Sequence, residues 1–151
     1  MMTLWGVVFS LHVLAAVLWV GGMAFALLVL RPSLAVLEPA ARIALHRGVF
    51  RRFFLIVWHA MSTLLLTGYA MLFGVWGGFA AAPWTVHVMH AIGLVMAGVF
   101  VWIVIGPWAV LRRAEALADA AAAAERIRRL VLLNLVLGIV VVLIAGLARF
   151  G

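Results

Sequence analysis

Charged residues along this chain fall in blocks, separated by long runs that have none. Residues 1–30 contain no Asp, Glu, Lys or Arg, and the run ends at Arg31-Pro32. A helix crossing the hydrocarbon of a bilayer needs about 20 apolar residues, so residues 3–30 read as a first span. Residues 53–111 are again free of charge, far too long for one crossing. They break at Gly77-Gly78-Phe79-Ala80-Ala81-Ala82-Pro83, which is turn chemistry. This gives a second span over 53–75 and a third over 84–111, with Pro107 expected to kink the third. The fourth span covers 130–148. Ala24-Phe25-Ala26 resembles a signal-peptide cleavage site. No positive charge precedes the apolar run and the run continues past the site, so the segment is read as retained.

The polar blocks between these runs are short. Residues 32–52 carry Glu38-Pro39, Arg42, His46, Arg47, Arg51 and Arg52 and read as a connector with a short interfacial helix. Residues 112–129 run from Arg112-Arg113 through an alanine-rich stretch to Arg126, Arg128 and Arg129, and read as a helical extension. Positive loops stay on the cytoplasmic side. Both arginine-bearing connectors therefore belong inside, and both termini and the glycine turn outside. Trp5, Trp76 and Trp84 then fall at the outer interface and Trp108 at the inner one, as an aromatic belt should. The expected fold is an all-α integral membrane protein. It is a single domain over 1–151, a four-transmembrane-helix bundle with N-out/C-out topology. Short amphipathic helical connectors lie on the cytoplasmic side of a bacterial inner membrane.

Composition sharpens this picture. Of the 151 residues 70% are hydrophobic and only 10% charged, against about 45–50% and 25% in soluble domains. Lipid must be the solvent for much of the chain. The absence of cysteine excludes disulfides, zinc–thiolate sites and iron–sulfur clusters. All eleven basic residues are arginines, giving a net charge of +7. They flank apolar spans, so they read as topology signals facing anionic headgroups and not as a nucleic-acid surface.

Ionisable residues inside a membrane are costly and often functional, and here they are histidines. At 1.5 Å per residue, His12 lies about 28 Å from Arg31 and His90 about 33 Å from Arg112, with His87 one turn further out. The three share a depth near the outer edge of the hydrocarbon. His59 lies only about 10 Å beyond Arg52, leaving a gap of about 18 Å to the outer histidines. His87 and His90 are spaced i, i+3 and share a helix face. If spans one and three are neighbours, His12 faces them. Imidazoles with Met89 and Met96 nearby suit copper, whereas hard cations want carboxylates, and no carboxylate lies in any span. The candidate metal ligands are therefore His12, His87, His90, Met89 and His59.

Haem b is the alternative. His12 and His90 would be its axial pair, Arg149 a partner for its propionates, and Gly21, Gly22, Gly68, Gly93, Gly98 and Gly138 the room for a macrocycle. Glycine is also common simply where membrane helices pack closely. Asn134, Ser62, Thr63 and Thr67 read as interhelical hydrogen-bond residues, and His46 as a solvated connector residue.

Several motifs in order carry a resemblance. They are Leu11-His12-Val13 through Trp19-Val20-Gly21-Gly22, then Arg31-Pro32-Ser33-Leu34. Arg51-Arg52-Phe53-Phe54 follows, then Gly68-Tyr69, Arg128-Arg129 with Asn134, and Arg149-Phe150. Across nearly its whole length the chain resembles the CopD-like superfamily of copper resistance and copper uptake proteins, related to the HemJ-like protoporphyrinogen oxidases. The resemblance implies a four-helix core and copper handling at the inner membrane. In the HemJ-like branch it implies haem at the histidine matching His12 and a lysine early in span three. This sequence has no lysine, and His90 stands roughly at that place. The leading expectation is copper binding and transport, not catalysis. Its partners are the lipid bilayer, the copper ion, a periplasmic copper-binding protein and a second copy in a homodimer. The alternative is a haem-dependent membrane oxidoreductase linked to quinone or a porphyrinogen. A third class is a small assembly subunit without a cofactor.

Overall fold

The computed structural model describes residues 2–150, with the side chains of Met2, Arg149 and Phe150 left outside the described residues. Among the described residues there are helices and turns and no strand. Four helical segments are long and apolar enough to cross a membrane: Thr3–Val36, Pro39–Gly74, Trp84–Arg113 and Leu117–Ala148.

The first segment begins as α1 (Met2–Phe25). It continues through a π-helical turn, Ala26–Leu30, into α2 (Arg31–Ser33), and ends in a 3₁₀ turn, Leu34–Val36. Pro32 therefore does not stop the helix. A proline has no N–H to give and its ring collides with the carbonyl four residues back. The wide turn just before it, in which the Arg31 N–H bonds to the Ala26 carbonyl, absorbs that mismatch.

The second segment differs from the expected connector plus span. α3 (Pro39–Gly74) is one helix of 36 residues, about 54 Å long at 1.5 Å per residue. The hydrocarbon is about 30 Å thick, so the arginine-bearing portion before residue 53 projects beyond it. No separate interfacial helix forms, because Pro39 starts the helix at its first turn, where a proline fits, and nothing after it breaks the pattern. The fourth segment, α6 (Leu117–Phe150), likewise carries its polar extension and its apolar span in one helix.

The glycine turn forms where expected. Gly77 and Gly78 have φ of 74° and 118°, values that a side chain disfavours. A 3₁₀ turn, Phe79–Ala81, leads into α4 (Trp84–Ile105). The expected kink sits at Gly106, which leaves the helical region at φ −98°, ψ −104° because the following proline excludes it. α5 (Pro107–Arg113) then completes the third crossing.

α1 packs mainly on α3, while α4 and α5 pack on α6, and α1 also touches α6. α1 and α4 are thus diagonal partners, meeting through side chains such as Trp19 on Phe100, with ring centroids 6.2 Å apart. Close approach is set by glycines. A Cβ on Gly22 would lie 2.4 Å from the Phe53 ring, and one on Gly138 2.8 Å from Val20. Phe50, Phe54, Phe100 and Trp108 fill the arginine-end half of the core edge to face. Only 17–22% of the most apolar window of each crossing is buried, so the remaining apolar surface is left for lipid. In the core Asn134, 1% exposed, donates to the Met96 carbonyl at 3.0 Å and ties α6 to α4.

At the arginine end, helix termini are capped by side chains from neighbouring elements. Arg47 on α3 donates to the carbonyls of Leu111 at 2.9 Å and Ala114 at 2.5 Å, the free acceptors where α5 stops. Arg42 does the same for Ala35 and Leu37 at the end of the first segment. Beside them, on the polar extension of α6, Glu125 is bonded by Arg128 and by Arg129 at 3.3 Å, with Arg31 3.7 Å away.

Two expectations follow. Arg47→Ala removes two charge-assisted bonds and should destabilise the protein by about 2–3 kcal/mol. Arg51→Ala, exposed one turn on, should stay within about 0.5 kcal/mol. Thermal unfolding in one detergent compares them. The hydrogen bond from Arg128 holds the Glu125 carboxyl down to about 2. Its contribution is therefore complete above the ordinary value of 4.5 and fades as pH falls toward about 2. Glu125→Gln should flatten the melting temperature over that window, and high salt should shrink the difference because the group is near the surface.

Candidate functional site

His12 lies half-buried on α1, facing α3. Its Nδ1 is 2.8 Å from the Thr67 hydroxyl oxygen. That hydroxyl has one proton, and it is donated back to the Thr63 carbonyl at 2.6 Å in its own helix. With the hydroxyl proton on that carbonyl, the Thr67 oxygen accepts and His12 Nδ1 carries the hydrogen, the arrangement that satisfies both groups. In that tautomer the other nitrogen, Nε2, keeps its lone pair. Gly68 makes the room: a Cβ there would sit 3.4 Å from His12 Cε1. Thr67 and Gly68 were thus the positions to pair with His12. The visible signal was a hydroxyl beside a missing side chain in an otherwise leucine-rich span.

His90 and His87 are brought together, not by each other but by Phe79. The Phe79 ring stacks on His87 with centroids 5.9 Å apart and meets His90 edge to face at 5.3 Å. His90 Nε2 is 3.1 Å from the hydroxyl of Tyr69 on α3, and the two share one hydrogen bond. Met89 is half-buried on the same helix. Phe79 and the role of Tyr69 come from the glycine turn folding back over α4, which the residue pattern did not disclose.

His59 faces outward. Its Nδ1–H donates to the Leu55 carbonyl one turn earlier at 2.8 Å, since a carbonyl can only accept, and its Nε2 is therefore also bare. The side chain lines a shallow groove between α1 and α3 with Leu14, Leu18, Leu55 and Ile56. His46 is not a solvated connector residue: it is half-buried and stacks on Phe50 at 5.4 Å.

The histidines thus occupy separate places: His12 between α1 and α3, His87 with His90 under the glycine turn, and His59 on the lipid face. Among the described residues no group of three His, Asp or Glu side chains stands where it could hold one metal ion. The reason is helix order. His12 packs toward α3 because α3, not α4, is the neighbour of α1.

The residues do not fit a haem. Of the six glycines expected to make room, Gly22 is filled by Phe53, Gly68 by His12, and Gly138 by Val20 and Met96. Gly21, Gly93 and Gly98 have nothing within 4 Å, and Gly21 and Gly98 are exposed on the outer surface of the bundle. The Arg149 side chain, expected beside the propionates, lies outside the described residues.

Set against known proteins, residues 47–148 match the family described as copper resistance protein D, a stretch that includes most of α3 and all of α4, α5 and the span of α6. No curated protein and no solved structure matches. A membrane-spanning four-helix chain matched over more than half its length belongs to the copper resistance protein D family.

Proposed function

We propose that this protein binds copper as cargo at the histidine-bearing end of the bundle and moves it across a bacterial inner membrane. That end faces outward, because the arginine-rich end is retained in the cytoplasm. The observation that carries the reading is the contact of His12 Nδ1 with the Thr67 hydroxyl. A metal-binding imidazole characteristically donates its second N–H to an oxygen, which orients the ring and sharpens the lone pair. The Thr67 oxygen does this for His12 while Thr63 takes the hydroxyl proton.

Copper is received in steps of few ligands and not in a closed three-histidine cage. His87 and His90, on one face of α4 with Met89 beside them, are the entry ligands. A periplasmic copper-binding protein is the natural donor to such a mouth. His12 is the next, with its Nε2 unoccupied, and His59 a further bare nitrogen along the α1–α3 seam. Imidazole and thioether ligands without any carboxylate favour a soft or borderline cation.

The reading predicts a graded loss of copper. With detergent-purified protein competed against a chromophoric chelator, Thr67→Val keeps the shape but removes the acceptor and should weaken copper about tenfold. His12→Ala should weaken it further, and the protein should show no Soret band. Unchanged copper affinity in His12→Ala and in the His87→Ala, His90→Ala pair, with normal melting, would overturn the proposal. So would stoichiometric iron with a Soret band.

A further inference from the structure

We infer that the elbow between the first two long helices is a binding site for the phosphate of an anionic phospholipid, held by Arg31, Arg42 and His46. The elbow lies at the opposite end of the bundle from His12, His87 and His90, and the inference is independent of copper.

The three side chains gather there for local reasons. Arg42 reaches back to donate from Nη2 to Leu37 O at 3.0 Å and Ala35 O at 3.3 Å, and Ala35 is one turn after Arg31. His46 is one turn after Arg42 on the same face of α3. Two nitrogens in this cluster are left without a partner: Arg42 Nε and His46 Nδ1 are both buried and both unbonded. An arginine Nε–H is always a donor. A buried donor without a protein acceptor is rare in a folded protein and marks a place for a water, an ion or a ligand oxygen.

The chemistry of the missing group follows. It must be an acceptor, because Arg42 Nε offers only a hydrogen. An anion suits it best, because Arg42 is charged and the Arg31 charge also acts on His46. Burial, and then the charges of Arg42 and Arg31, push the His46 imidazole down, and an anion between them would reverse that. Among the described residues Glu125 is the acidic group paired with Arg31, and it is also bonded by Arg128 and Arg129. That one long contact at 3.7 Å leaves Arg31 with guanidinium hydrogens for another acceptor. A phosphate oxyanion satisfies all three groups with charge-assisted bonds.

The position selects a lipid as the source. Arg31 ends the charge-free run of residues 1–30, which is where headgroups begin. Apolar side chains stand bare on both sides of it: Leu28 is 71% exposed, Val29 51% and Val36 88%. A free phosphate has no use for them, whereas acyl chains do.

The test uses the full chain in nanodiscs of phosphatidylcholine, with and without phosphatidylglycerol. Native mass spectrometry reads the retained lipid, and ¹⁵N-histidine spectra read the His46 Nδ1 resonance. Phosphatidylglycerol should be retained in preference, and should shift the His46 resonance. The Arg42→Gln, His46→Gln pair should lose retention by about tenfold or more, the scale of one charge-assisted bond. His46→Gln alone, which leaves the Arg42 cap in place, should lose part of it. Arg113→Gln with Arg126→Gln, which removes two charges from the same end and so more than the Arg42, His46 pair, should keep retention. Equal loss in that control pair, or an unmoved His46 resonance, would overturn the site. Inorganic phosphate giving the same His46 shift in pure phosphatidylcholine would overturn the lipid as its source.

Discussion

A polar group inside hydrocarbon has no water to bond, so it must find its partner within the protein. Nearly every informative contact in this bundle answers that demand. Helices satisfy the backbone. Where they end, just beyond the hydrocarbon, Arg42 and Arg47 reach across to cap the last carbonyls. Asn134 spends its donor on the Met96 carbonyl in the core. His12 spends its Nδ1–H on Thr67, and His59 on its own helix. An imidazole has two nitrogens, however, and one bond to an oxygen acceptor satisfies only the protonated one. The demand that buries the ring therefore leaves a lone pair behind. A structural necessity of the membrane thus supplies the lone pair that the proposed copper binding requires.

The number and place of the crossings were legible because hydropathy is itself the physical cause. Charge-free runs of about 20 residues must lie in lipid, and the Gly77-Gly78 turn and the break before Pro107 follow from backbone geometry. The helix ends were less legible. Outside the hydrocarbon, hydropathy no longer decides whether a helix continues. Capping does, and the caps here are long-range: Arg47 closes α5 from 64 residues away in sequence. The π-helical turn that carries the chain through Pro32 is invisible for the same reason, being a compromise between neighbouring turns and not a property of any residue.

For the candidate site the sequence offered one dimension, depth along the span. Counting residues from the arginines put His12, His87 and His90 at a shared depth, but depth fixes neither rotation about a helix nor the order of helices around the bundle. The structure pairs α1 with α3, which turns His12 toward Thr67 and away from α4. It also folds Phe79 between His87 and His90. What the sequence could not carry was the neighbour relation, and that relation decides whether three imidazoles make one site or several.

Helix order also bears on the proposed copper path. Phe50, Phe54, Phe100, Trp108 and Trp19 pack edge to face through the arginine-end half of the bundle, and the buried residues there form one continuous core. A water-filled pore along the axis would have to displace several of these rings at once, and aromatic rings bury more apolar surface than any other side chain. Passage along a helix seam requires no such opening, only that the seam part locally as the ion moves the roughly 18 Å between His12 and His59. The α1–α3 seam is where this is least costly. It is held by glycines, runs from His12 past Thr63 to His59, and opens as a groove toward lipid. Copper handling in this fold is therefore better matched to the seam between two helices than to the centre of the four.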